Sequence, residues 1–271
     1  MQTEKFQKFL TSDSKKIDGW FFDRDILSFF LLLQLQNHLN IKGDICEVGV
    51  WHGKSLVLLS VLKNEGERLF GYDLFDGDLL EKASTNLKNF GSSSNTELVK
   101  GDSSEYTKTM LDSKHTRPIK FLHIDAGHEY HEVLQQLIQF SPYVHPSGII
   151  AMDDYHDREF PGIEAAVLDF SEYDRPRRFV PFFAGGNKMF LCEKQVVKSY
   201  QLLLLNTDVL KNTCRVSRVR DFTILVGFSK LPISNTQCID AINSNAYPAH
   251  LELGTDSLST QSKLFQQRAW S

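Results

Sequence analysis

The sequence predicts an α/β fold: a mostly parallel, seven-stranded sheet whose last two strands form an antiparallel hairpin. Three observations carry this. Across residues 45–193 short apolar runs alternate with longer helix-compatible segments, the pattern of parallel strands joined by crossover helices. The last two runs are separated by Ala184-Gly185-Gly186-Asn187, a turn signal that makes them a hairpin at one sheet edge. The chain has 271 residues, of which 41% are hydrophobic and 24% charged, the composition of an ordinary globular protein with material for a sizeable core.

Residues 1–40 read as a helical lead-in, with Trp20, Phe21, Phe22, Phe29 and Phe30 supplying apolar area. Its greasiest run, 26–35 (ILSFFLLLQL), is half of the roughly 20 residues that cross a bilayer and reads as a buried helix. The opening MQTEKFQKFLTSDSKK lacks the apolar stretch of a secretory leader, so export and membrane insertion are not expected. Strands follow at 44–48, 68–72, 96–100, 120–124 and 148–152, then the pair 178–182 and 188–192. Helices fall between them at 54–63, 79–89, 104–111, 130–140 and 162–170. This sets a working division into the lead-in 1–40, a domain at 41–194 and an extension at 195–271. Within the extension 195–210 is helix-compatible, 219–229 (VRDFTILVGFS) reads as a strand, and 234–271 is polar with no clear period. An edge strand at 219–229 could pair with a second subunit, which would make a homodimer.

Charge and cysteine usage narrow the class. Lys plus Arg is 30 against 34 Asp plus Glu, a formal charge of −4, without the basic surface that nucleic-acid binding needs. Cys46, Cys192, Cys214 and Cys238 are widely spaced, so no zinc module or disulfide framework is indicated and a reducing, cytoplasmic setting is the default.

The first strand runs into a loop with two glycines, Gly49-Val50-Trp51-His52-Gly53-Lys54-Ser55. Glycine permits a sharp turn and close approach of a ligand, and Lys54 or Ser55 would open the helix whose amides face it. A structural turn explains this pattern equally well. The next strand ends add to it. Asp73 lies 24 residues after Gly49, near the spacing of about 20 at which an acidic residue meets a nucleotide ribose. The third strand ends in Gly101-Asp102-Ser103. Each Asp or Ser could be a helix cap, but several in series at the carboxyl ends of strands favour an adenosine-containing ligand.

Strand four ends at Asp125 and strand five at Asp153-Asp154. An ordinary crossover puts these ends side by side, so three carboxylates converge. Crowded carboxylates raise one another's pKa unless a cation sits between them, and Mg²⁺ is the usual one. The alternative is a capping Asp beside a solvated one. His128, three residues past Asp125, could take a proton from a substrate hydroxyl, serve as a further ligand, or cap the next helix. His156, Asp157 and Glu159 are weaker candidates on a covering loop; His131 and His145 read as surface or packing residues. Trp20, Phe21, Tyr155 and Phe160 could line a pocket or sit in the core.

These motifs resemble the class I S-adenosylmethionine-dependent methyltransferases, whose fold is Rossmann-like. Glu47-Val48-Gly49-Val50-Trp51-His52-Gly53-Lys54-Ser55 resembles the first cofactor motif of the macrocin-type, sugar and natural-product O-methyltransferase branch, and Asp73-Leu74-Phe75-Asp76-Gly77 its second. The segment from Phe121 through Asp153-Asp154-Tyr155 is similar to that branch's metal-binding half, and more distantly to catechol-type enzymes. The resemblance covers about residues 15–194. It implies that Glu47, Gly49 and Trp51 line the methionine side of the cofactor, with Gly53 and Ser55 completing the loop. Asp73 would hold the ribose, Asp102 and Ser103 the adenine edge, and Asp125, Asp153 and Asp154 the Mg²⁺. The catalytic pair would be His128, as base, and Asp125, which borders both cofactor and metal. Macrocin-type enzymes carry a second Asp two residues after the first ligand, where this chain has Gly127; catechol-type enzymes place a Lys at the position of His128. The implied reaction is methyl transfer to a hydroxyl of a small molecule. The alternatives are an oxygenase-like, cephalosporin-hydroxylase-type relative, disfavoured because iron sites more often use two His, and a non-catalytic binding module of the same fold.

Overall fold

In the computed structural model, which describes residues 2–173, 178–211 and 214–228, the lead-in folds as α1 (Gln2–Thr11) and α2 (Asp23–His38). The start of α2 is closed by Asp25, whose Oδ2 accepts the Phe22 amide at 3.0 Å, satisfying one of the donors that a helix start leaves over. Its apolar run is buried almost throughout, and Gln36 Nε2 donates to the Lys120 carbonyl at 2.6 Å. This fixes the helix against the middle of the sheet.

Alternation then proceeds as expected: β1 (Asp44–Val48), α3 (Lys54–Leu62), β2 (Leu69–Asp73), α4 (Leu79–Phe90), β3 (Thr96–Lys100), α5 (Lys108–Lys114), β4 (Ile119–Ile124), α6 (Tyr130–Phe140), β5 (Val144–Met152), α7 (Pro161–Glu172) and the hairpin β6 (Phe179–Gly185) and β7 (Lys188–Glu193). The helix expected over 104–111 is instead a 3₁₀ turn at Ser103–Glu105 followed by α5. Tyr106 forces the break, because its buried ring sends the hydroxyl back to the Gly101 carbonyl at 2.9 Å. Thr107 then restarts the helix as a cap.

The sheet holds nine strands rather than seven. Beyond β7 the chain adds α8 (Val197–Leu205), α9 (Asp208–Lys211) and a second hairpin, β8 (Arg215–Val219) and β9 (Phe222–Gly227). The order is β3-β2-β1-β4-β5-β7-β6-β9-β8. The strand expected at 219–229 is therefore β9, which pairs with β6 on one side and β8 on the other. Both its edges are used within the chain, and the edge of the sheet is the largely exposed β8. The polar stretch 234–271 and Cys238 lie outside the described residues. No helix among the described residues is long and apolar enough to cross a membrane.

Apolar residues fill both faces of the sheet, as a central parallel sheet requires. One face packs Phe29, Leu58 and Phe121 among α1, α2, α3 and α8; the other packs Tyr72, Leu122 and Phe140 against α5, α6 and α7. The strand order reverses between β1 and β4, where ligands bind in open α/β sheets. The register aligns Val48 with Ile124 and Ile124 with Met152, so Gly49, Asp125 and Asp153 stand abreast at the carboxyl edge.

Candidate active site

At this edge opens a cavity of about 700 Å³, within the size range of small-molecule sites. Of the residues singled out in the sequence, Gly49, Trp51, Ser55, Asp73, Asp102, Ser103, Asp125, His128, Asp153 and Asp154 line it. Glu47 and Gly53 do not. Glu47 is fully buried beneath the floor, with Oε1 2.7 Å from His123 Nδ1, because β1 turns its side chain toward α2. Gly53 sits behind the loop at the start of α3, facing Ala83.

The glycine loop is held by Asp73. One carboxylate oxygen accepts the Val50 and Trp51 amides at 2.7 and 2.8 Å, and the other accepts the Phe75 amide at 2.7 Å. A carboxylate has about four lone-pair positions, so one remains for a ligand after the loop is braced. Gly49 has φ +93°, and a Cβ there would lie 2.0 Å from the Asp125 carbonyl; only glycine lets the first and fourth strand ends meet. Asp102 caps its 3₁₀ turn through the Ser104 amide (2.8 Å), and Ser103 accepts from Gln136 Nε2 at 3.0 Å. The lead-in closes one side. Lys54 Nζ holds the Gly19 carbonyl at 3.0 Å, and Trp20 stacks on Trp51 with ring centroids 5.2 Å apart. Phe21 lines the cavity too, whereas Tyr155 is core and Phe160 stacks on His128 at 4.2 Å.

The carboxylates form two overlapping groups of donor atoms. His123, Asp125 and Asp153 make one, and Asp125, His128 and Asp154 the other; within each the donor atoms lie within 4.8 Å of one another. Burial pushes the Asp125 carboxyl well above its ordinary range, reinforced by Asp153. Burial also works against Asp153, but the Lys188 ammonium and His123 overcome it and hold that carboxyl below its usual value. His128 Nε2 stands 3.4 Å from Asp154 Oδ2, and this carboxylate raises the imidazole's pKa above its ordinary value. His123 Nε2 is buried without a hydrogen-bond partner among the described residues, 3.6 Å from Asp153 Oδ2. An orphaned nitrogen facing a carboxylate cluster is a donor set that fits a cation.

Several of these groups escaped the sequence reading. Lys188, fully buried, is ion-paired to Asp153 Oδ1. Asn187 Nδ2 donates to Asp154 Oδ1 at 2.8 Å. Asp25 accepts the Asn187 amide at 3.3 Å. The available signal is a lysine opening a mostly apolar strand (KMFLCE), and the strand reading over 188–192 gave that lysine no partner.

Residues 46–155 match the family model described as a methyltransferase domain. Among solved structures, cofactor-bound Rv0187 from MTB is 14% identical, covering 70% of this chain and 89% of that one with a TM-score of 0.51. CalS11, described as a TDP-rhamnose 3′-O-methyltransferase of calicheamicin biosynthesis, is 20% identical over 70% and 92% with a TM-score of 0.48. MycE, of the mycinamycin biosynthetic pathway and in complex with Mg and SAH, is 15% identical over 71% and 54% with a TM-score of 0.46. No curated protein matches the chain in sequence. Residues 46–155 thus carry a methyltransferase domain, and the sheet around it has the Rossmann-like fold of the class I methyltransferases.

Proposed function

We propose that this methyltransferase acts on oxygen, methylating a hydroxyl of a small molecule of sugar or natural-product type, with Mg²⁺ held by Asp125, Asp153 and Asp154. One observation carries the reading: His128 and the three carboxylates share a wall of the cavity that the glycine loop, Asp73 and Asp102 enclose. When bound, S-adenosylmethionine would supply a methyl group already activated by its sulfonium, and a cation held by Asp125, Asp153 and Asp154 would supply Lewis acidity at the acceptor. The chain's own contribution is then positioning and proton transfer. Asp73 and the amides it organises orient the ribose side, and Asp102 and Ser103 border the adenine. His128 accepts the hydroxyl proton at Nδ1, the ring nitrogen that does not face Asp154, as the new carbon–oxygen bond forms and the methyl–sulfur bond breaks, with Asp154 at Nε2 and the Phe160 ring fixing the imidazole's orientation. Lys54 and the Trp20–Trp51 stack hold the lead-in over the mouth and limit water entry.

Calorimetric titration of S-adenosylmethionine, with and without Mg²⁺, tests the first half. Saturable binding that Asp73→Ala removes is the expected result, and absence of binding under both conditions would overturn the cofactor assignment. Turnover on a panel of hydroxylated acceptors tests the second half. EDTA should abolish it, and His128→Ala should lower it by about 10²–10⁴-fold, the usual contribution of a general base. EDTA-insensitive turnover would remove the cation from the reaction.

A further inference from the structure

We propose that Lys188 is a built-in counter-ion of the carboxylate cluster that weakens its hold on a divalent cation and offsets the charge of Asp153 when no metal is bound. The inference rests on the reading of Asp125, Asp153 and Asp154 as the cation site and concerns a residue outside that set.

The geometry is specific. Lys188 is the first residue of β7, directly after the Gly186-Asn187 turn, and its side chain is fully buried. Its ammonium takes Asp153 Oδ1, lies 3.3 Å from Asn187 Oδ1, and sits 5.1 Å from the Phe21 ring centroid and 6.0 Å from that of Phe29. Burying an ammonium is costly unless it is paired, and here the partner is a carboxylate of the proposed site. The hairpin cannot easily withdraw it. Gly186 has φ +68°, and a Cβ there would lie 1.8 Å from Asp25 Oδ1, so the turn is seated directly on the start of α2. From the same turn Asn187 holds Asp154.

Two consequences follow from charge alone. Asp153 offers a metal only the oxygen that the ammonium leaves, and a second cation beside the same carboxylate repels the first. Removing the charge at position 188 must therefore tighten divalent-cation binding. Keeping it in another shape must not.

Mn²⁺ binding to the full-length protein, followed by the electron paramagnetic resonance signal of the free ion, tests this. Lys188→Met and Lys188→Gln should bind Mn²⁺ at least tenfold more tightly than the wild type, Lys188→Arg within about twofold of it, and Asp125→Asn should bind none. If the wild type binds Mn²⁺ and Asp125→Asn does not, yet Lys188→Met and Lys188→Gln bind no more tightly, the counter-ion role is wrong and the metal reading stands. If none of the proteins binds, both fall. Lys188→Gln retains an N–H for Asp153 and carries the comparison should Lys188→Met fail to fold. If both fold only when Mn²⁺ is added, that rescue is itself the predicted coupling, and failure of Mn²⁺ to restore either would overturn it.

Discussion

His115 occupies a place where a charge is poorly tolerated. It ends α5, 7% exposed, with the Tyr72 hydroxyl 3.0 Å from Nε2 and the Phe70 ring centroid 5.0 Å away. Burial pulls its pKa down to about 4, whereas in an unfolded chain histidine titrates near 6.5. Between those values the unfolded chain binds a proton that the native state refuses, so stability rises with pH across this window and is lost as pH falls from about 6.5 toward 4. Above about 6.5 the group contributes no slope. The shift is worth on the order of 3 kcal/mol, a large part of the 5–15 kcal/mol typical of a domain. Urea melts at pH 7 and pH 5 should show roughly 2 kcal/mol of this loss in the wild type and much less of it in His115→Gln, whose side chain can still meet the Tyr72 hydroxyl. An equal loss in both proteins would assign the acid sensitivity to other groups.

At the scale of elements, the two glycines of the first loop look alike in sequence and differ in what confines them. Gly49 and Gly53 both have positive φ, +93° and +80°. A side chain at either pays the left-handed penalty of roughly 1–2 kcal/mol. A Cβ on Gly53 meets Ala83 at 3.5 Å, an ordinary contact, whereas one on Gly49 meets the Asp125 backbone at 2.0 Å. Gly53→Ala should therefore cost about that penalty alone. Gly49→Ala must push β1 and β4 apart at the cavity floor, costing more stability and the S-adenosylmethionine affinity as well. Thermal melts with calorimetric titration separate the two; equal effects would mean that the loop, not the strand junction, sets the limit. The loop and the strand ends around it were legible because their residues are close in sequence and recur at crossover spacing. Lys188 and Asn187 were not, because their partners Asp153, Asp154 and Asp25 come from other strands and from α2, and nothing local to the hairpin announces that pairing. Glu47 shows a related limit, since strand position fixes an end but not which face a side chain takes, and its carboxylate lies beneath the floor against His123.

For the whole molecule, the boundary after residue 194 follows sequence pattern, and packing runs across it. Tyr200, Leu203 and Leu204 of α8 are buried in the same cluster as Phe182 and Phe183 of β6. Gln201 Nε2 ties the Phe182 carbonyl at 3.1 Å to the Thr223 carbonyl at 2.8 Å, stitching β9 to β6. The two extra strands were hard to foresee because RVSRV is short, carries two arginines and a serine, and lies at a largely exposed edge without a clean apolar–polar alternation. Cutting the chain after Lys194 would uncover one face of β6, leave its pairing edge open and expose several aromatic side chains, a combination that favours association. A 1–194 fragment should accordingly be recovered mainly in aggregates, or melt well below the full chain, although every residue proposed for the reaction is still present. A soluble fragment with the melting temperature and S-adenosylmethionine binding of the intact protein would instead make 41–194 a self-sufficient catalytic unit, with the later helices and hairpin an addition to it.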